Sequence, residues 1–314
     1  MIVTVTLNAA LDITYHTPAL VPGTTHRVSD VTERPGGKGL NVARVLSALG
    51  HETVVTGFAG GRTGDVLREL LGNSGPGSSR ARPVDALVPI SGSTRRTLAV
   101  VDETSGDTTQ LNEPGPTVSS AEWSDFLGAY ERLLTGADAV ALCGSLPPGI
   151  HVGAYAELIR RARAAGVPVL LDTSGEPLRR GVAARPDLVK PNADELARLT
   201  GSREPLRAAR DARRRGAHAV IASLGPDGIL AATPDGIWQA TPPASVKGNP
   251  TGAGDSAVAG LLSGLVERLP WPARLARAVA LATATVLAPA AGEFDTEAYE
   301  ELLPRVTVTE QPGP

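Results

Sequence analysis

Asn249-Pro250-Thr251-Gly252-Ala253-Gly254-Asp255-Ser256, running on into Ala257-Val258-Ala259-Gly260-Leu261-Leu262, is the stretch from which the rest of the chain can be read. Glycines precede an apolar helical run. The first N–H groups of such a helix have no partner within it and carry the positive end of its dipole. The small residues Gly252, Ala253 and Gly254 let an anion approach those amides, and Asp255 stands at the mouth of the same site. The pattern suits an acid that takes a proton from an attacking hydroxyl while the amides stabilise developing charge. Two other readings stay open: Asp255 as a plain helix cap, and a dinucleotide site, because Gly252, Gly254 and Ala257 fit G-x-G-x-x-A. The latter should follow a strand directly, whereas Lys247-Gly248-Asn249-Pro250 intervenes here. No Walker A sequence occurs, which excludes a P-loop by pattern.

Outward from this turn, short strand-like runs alternate with longer helical stretches. Strands are expected at 2–7, 53–58, 137–142, 167–172, 187–190 and 219–223. Helices are expected at 40–49, 119–134, 153–165, 193–200, 204–215, 253–268 and 271–287. In 40–49, Val42, Val45, Leu46 and Leu49 share a face and Gly50 is the stop signal; 119–134 opens with a capping box, Ser119 with Glu122. The alternation predicts an α/β fold with a mostly parallel sheet covered by helices on both faces. Two segments, about 12–34 and 95–112, are rich in Thr and Val and read as extra strands outside that sheet, forming a small lid. Residues 72–83 read as a mobile Gly/Ser/Arg/Pro loop.

Bulk properties narrow the function. The 314 residues suit one large α/β domain better than two unrelated ones. A formal net charge of −3 provides no global field for nucleic acid or anionic lipid, so neither partner is expected. One cysteine, Cys143, excludes a disulfide framework and any CxxC metal site; its apolar surroundings read as a buried small residue. No signal-like start and no membrane-spanning apolar run are present, so a cytoplasmic location is expected.

Four more constellations carry chemistry. Pro35-Gly36-Gly37-Lys38-Gly39-Leu40-Asn41 again sets glycines before an amphipathic helix; Lys38 supplies a cation and Asn41 both donor and acceptor, for a sugar hydroxyl or a phosphate. Asn8-Ala9-Ala10-Leu11-Asp12 follows the first strand, where α/β proteins bind ligands, and Asp12 would accept from sugar hydroxyls. In Lys190-Pro191-Asn192-Ala193-Asp194-Glu195, Asn192 and Glu195 share a face at a helix start. Glu195 would hold Mg²⁺ through water, or the pair is a plain capping box. Ser223-Leu224-Gly225-Pro226-Asp227-Gly228 is a glycine turn that would border a nucleotide.

In this order, these pieces resemble the ribokinase-like PfkB family of carbohydrate kinases, in the branch that contains 1-phosphofructokinase and tagatose-6-phosphate kinase. The resemblance runs from Ile2 to about Leu303. It implies a three-layer α/β/α core with a β-sheet lid that in relatives often forms a homodimer contact. It implies ATP-dependent phosphoryl transfer to a ketohexose monophosphate: tagatose 6-phosphate, fructose 6-phosphate or fructose 1-phosphate. A kinase of an unphosphorylated sugar or nucleoside, or a non-catalytic sensor, are the alternatives. Asp255 matches the family's base, and Gly252, Ala253 and Gly254 its anion hole. Asp12, Arg27, Gly37, Lys38, Asn41, Arg95 and Ser145 match substrate contacts, with the arginines holding the sugar phosphate. Lys190, Asn192, Ser223, Gly225 and Gly228 match the ATP site, and Glu195 the Mg²⁺-linked position. Some relatives also use K⁺ beside the catalytic turn. The chain departs from the family in Asn8-Ala9, where Asn-Pro is usual, and in Thr97, often Asn. Asn249-Pro250, with Thr6-Leu7-Asn8, looks more similar to tagatose-6-phosphate kinases.

Overall fold

The computed structural model describes residues 1–72, 82–244, 246–288 and 290–311. Most of the loop expected at 72–83 lies outside them. In chain order the strands are β1 (Ile2–Thr6), β2 (Ala10–Thr17), β3 (Asp30–Gly36), β4 (Thr53–Gly60), β5 (Val84–Ile90), β6 (Arg95–Asp102), β7 (Thr108–Asn112), β8 (Ala139–Cys143), β9 (Val169–Asp172), β10 (Leu188–Val189), β11 (Ala219–Ser223), β12 (Ile229–Thr233), β13 (Gly236–Thr241) and β14 (Thr307–Gln311). Ten of them form one sheet in the order β14-β13-β12-β11-β10-β9-β8-β1-β4-β5. From β11 to β5 every neighbour is parallel; β12, β13 and β14 extend the sheet by antiparallel pairing.

The parallel strands are apolar along their whole length because both faces are covered. In β1, Val3 and Val5 point into one core with Phe126, Tyr130, Tyr155 and Leu158. Ile2 points into the other with Val42, Val45, Leu46, Leu261 and Leu281. Helices Ser120–Leu134, Ala154–Ala164, Gly175–Ala183, Ala193–Thr200 and Pro205–Arg214 cover the first face; Lys38–Ala48, Ala253–Val266 and Trp271–Val286 cover the second. The result is the expected three-layer α/β/α arrangement. The Ser119–Glu122 capping box is present, with both reciprocal hydrogen bonds.

Three features differ from the sequence reading. The helix placed at 40–49 spans Lys38–Ala48, because its first turn is polar and glycine-rich and gives no apolar signal. The parallel edge strand β5 on one side, and the hairpin β12–β13 with the edge strand β14 on the other, were not in the expected strand set. Helices Gly61–Gly72 and Gly175–Ala183 also escaped the apolar pattern, each burying few large side chains.

The segments read as lid strands form a separate sheet, β3-β2-β6-β7. Its registers align Asp12 with Arg34 and Thr97, and Thr97 with Asn112, on one face. Ile13, Tyr15, Val31, Leu98, Val100 and Leu111 share the opposite face. Among the described residues, no helix is long and apolar enough to cross a membrane.

Candidate active site

Parallel strands deliver their C-terminal ends to one edge of the sheet, where α/β proteins bind ligands. There Asn8 follows β1, Ser145 follows β8, Asp172 ends β9, Lys190 follows β10 and Ser223 ends β11. Two helices begin at the same edge and pack on each other: Lys38–Ala48, with Gly37 as N-cap at φ 114°, and Ala253–Val266, with Gly252 as N-cap at φ 86°. A Cβ at Gly252 would stand 2.9 Å from the Ala291 backbone, so both conformation and space call for glycine there.

At the centre is a cluster of charges. The Asp172 carboxylate, 1% exposed, accepts from Lys38 Nζ at 3.2 and 3.3 Å and faces Lys190 Nζ at 3.6 Å. Asp255 is buried in the first turn of its helix, and its Oδ2 accepts from Asn41 Nδ2 at 2.9 Å. That contact sets aside the capping reading of Asp255, since Gly252 holds the N-cap position. Burial, and then the nearby Asp172 charge, push the Asp255 carboxyl up from 3.8 to about 6, while Asn41, Lys38 and Lys190 restrain the rise. A carboxyl tuned toward neutrality suits a general base. Burial disfavours the charge on Lys38, but Asp172, Asp255 and Glu195 together outweigh it and raise its pKa.

A second group lies between this cluster and the small sheet. Arg95 Nε donates to the Asn8 carbonyl at 3.2 Å, and its Nη1 to the Glu113 carbonyl at 3.0 Å. Asn8 Nδ2 in turn donates to Ser145 Oγ and to the Pro114 carbonyl, each at 3.1 Å. Asp12 hydrogen-bonds Thr97 and sits in the field of Arg95 and Arg44; burial nonetheless lifts its pKa to about 6. Thr97, a departure from the family pattern, thus takes up a partner of Asp12.

A cavity of about 620 Å³ opens on the far side of the turn. Asn192, Ser223, Gly225 and Gly228 line it together with Ala253 and Gly254, and Pro242, Val246, Val279 and Val286 make its apolar wall. Lys190 Nζ lies 3.5 Å from where a Cβ on Gly254 would be, which ties this cavity to the charged cluster. An apolar wall beside a helix start, with a lysine close by, is a lining that a nucleotide would fit. Asn192 and Glu195 do form a capping box: each side chain accepts from the other's backbone N–H at 2.9 Å. Among the described residues, no group of three or more His, Cys, Asp or Glu could hold a metal by itself. A divalent ion here would take most ligands from water and phosphate, as Mg²⁺ commonly does.

The structure thus gathers Asp12, Gly37, Lys38, Asn41, Arg95, Ser145, Lys190, Asn192, Ser223, Gly225, Gly228, Glu195 and the turn Gly252–Asp255 around one edge. Arg27 is not gathered with them: it is exposed on the connection between β2 and β3, and among the described residues no hydrogen bond or ion pair joins it to the group. Asp172 was missed by the sequence reading. Its signal was an acid ending the apolar run 167–172 at a strand's C-terminal end. The dinucleotide reading fails on topology: the turn follows β13, which pairs antiparallel on both sides, so no βαβ unit exists there.

Known proteins share this fold. A tagatose-6-phosphate kinase of Staphylococcus epidermidis is 32% identical over 318 residues, covering 99% of this chain and all of that protein. Phosphofructokinase-2 of Escherichia coli, solved in complex with fructose-6-phosphate, superposes with a TM-score of 0.86 at 30% identity, covering 96% of this chain and 98% of that one. The same enzyme has also been solved as a tetrameric inhibited form, with a TM-score of 0.86 at 29% identity and the same coverage. Ribokinase of Arabidopsis thaliana, complexed with ribose and ATP, shares the fold at a TM-score of 0.75 and 24% identity, over 96% of this chain and 98% of that one. The model of the pfkB family carbohydrate kinases matches residues 5–298, and the chain belongs to that family.

Proposed function

We propose that this kinase transfers the γ-phosphoryl group of ATP to a hydroxyl of a ketohexose monophosphate, giving a bisphosphate. The observation that carries the reading is the buried Asp255 at the start of the helix Ala253–Val266, beside two lysines that share the Asp172 carboxylate. Asp255 takes the acceptor's hydroxyl proton. The amides at Gly252, Ala253 and Gly254 stabilise charge on the transferring group, and Lys38 and Lys190 neutralise it from the other side. The cavity lined by Asn192, Ser223, Gly225 and Gly228 holds the nucleotide. A divalent ion, Mg²⁺ in this reading, would be held through water at Glu195 and would neutralise the phosphate chain.

Asp12, Asn41 and Ser145 bind sugar hydroxyls, and Arg95 binds the acceptor's own phosphate; Arg27 reaches it only if the β2–β3 connection closes over the sugar. The small sheet acts as the lid of a single kinase domain and excludes water. Tagatose 6-phosphate leads the substrate panel because of the relative that this chain matches along nearly its full length. Fructose 6-phosphate follows on the phosphofructokinase-2 likeness. The outward lid face, with Val31 53% and Leu111 58% exposed, supports pairing with a second copy of the chain.

An ADP-release assay over tagatose 6-phosphate, fructose 6-phosphate, fructose 1-phosphate, free ketohexoses and nucleosides tests the reading. Turnover confined to the ketohexose monophosphates is expected. Turnover only of unphosphorylated sugars or nucleosides would overturn it.

A further inference from the structure

One ionic cluster outside the charged centre joins three parts of the molecule. Glu293 Oε1 accepts from Arg34 Nη1, on β3 of the lid, and from Arg44 Nη2 at 2.8 Å, on the helix Lys38–Ala48. Arg44 Nη1 also donates to the Ala291 carbonyl at 3.1 Å. The short segment 291–293 is thereby held from two sides. It lies directly behind the chemistry: a Cβ at Gly252 would stand 2.9 Å from Ala291 Cα, and one at Gly292 would stand 3.0 Å from Asn41 Oδ1. Asn41 is the residue whose amide holds Asp255. At the other end, Arg34 pairs in register with Asp12 and shares its face of the lid.

We propose that Glu293 is a positioning residue that couples the lid to the catalytic turn. It is not among the residues assigned above to the sugar or the nucleotide. Its carboxylate, bridging two guanidinium groups, makes the placement of the Asp12 face and the backing of Gly252 and Asn41 one arrangement. Charge-assisted bonds to a shared oxygen hold such a geometry better than neutral ones. A lid closed on the acceptor therefore presses 291–293 against the turn and against Asn41, and a lid held open relaxes both. The inference rests on the acceptor-binding role proposed above for Asp12 and the lid.

Glu293→Gln keeps the shape and removes the charge; Arg34→Gln breaks the same link from the lid side. The acceptor KM is expected to rise about tenfold in either variant, the loss of roughly one charge-assisted hydrogen bond, with kcat within about threefold. The double variant should be no worse than Glu293→Gln alone, since that change already weakens the Arg34 contact that Arg34→Gln removes. Hydrogen exchange measured without substrate should quicken in both β3 and 290–295 in Glu293→Gln. Unchanged KM, additive effects in the double variant, or faster exchange at 290–295 with β3 unaltered would each overturn the coupling. Should Glu293→Gln fail to fold, Arg34→Gln carries the same readings. The exchange arm needs no sugar, so it tests the link even if the acceptor proves to be another compound. A wild-type enzyme inactive on every sugar phosphate would sink the functional reading alone.

Discussion

Replacing Asp255 by Asn should weaken catalysis and strengthen the fold at the same time. Its carboxyl stands at about 6 against an ordinary 3.8, with burial the first cause and the Asp172 charge the second. The proton is thus bound more tightly in the fold than in the unfolded chain. Between about pH 4 and pH 6 the native state holds more protons, so the wild type loses stability as pH rises through that window. A shift of roughly two units corresponds to about 3 kcal/mol of destabilisation above pH 6. Asparagine stays neutral throughout. The variant should match the wild type below about pH 4 and exceed it by up to about 3 kcal/mol at pH 7.5, which is roughly 5 °C in Tm for a chain of this size. Loss of the base should lower kcat by about 10² to 10⁴. Thermal or denaturant unfolding at the two pH values, paired with ADP release at pH 7.5, reads both effects. A variant less stable than the wild type at pH 7.5, or one within about tenfold of wild-type kcat, would refute the assignment.

Other consequences can be measured directly. With the base at about 6, kcat should fall about tenfold between pH 7.5 and pH 5, when only about a tenth of Asp255 is ionised; a flat profile to pH 5 contradicts this. In Asp172→Asn the neighbouring negative charge is gone, so the acid limb should move to lower pH relative to wild type in the same buffers; plateau kcat should also drop because Lys38 and Lys190 lose their shared anchor. An unmoved limb would exclude the role given to Asp172. Glu195→Gln retains capping capacity but loses charge, so it should raise the divalent-ion concentration for half-maximal rate by about tenfold with little change in stability. An unaltered metal titration removes Glu195 from the metal site. Leu111→Asp on the outward lid face should shift sedimentation toward monomer, and an unchanged species distribution argues against pairing through that face.

Much of this protein was legible in its sequence because its signals are local. Apolar runs covered on both faces announce parallel strands, and a glycine turn before an apolar helix announces an anion site whatever surrounds it. Gly252–Asp255, Gly37–Asn41 and Asn192–Glu195 each carry their chemistry within a few residues. The sequence therefore determined the α/β class, the run of parallel-strand segments along the chain and the motifs that the fold brings to one edge, while the order of the strands in the sheet came from the structure. Only the tertiary structure decided which of them meet. Asp172 looks like the last residue of an apolar run until β9 sets it beside β8 and β10, where Lys38 and Lys190 converge on it. Glu293 lies 259 residues from Arg34 and 249 from Arg44, beyond the reach of any periodicity. The raised pKa of Asp255 likewise belongs to the fold, because burial and a neighbour at the end of β9 produce it. Arg27 shows the converse: the resemblance assigned it to the sugar phosphate, yet its exposed connection leaves it apart from the group. Local patterns encode backbone form and residue type, while charge coupling depends on which strand ends and helix starts the packing brings together.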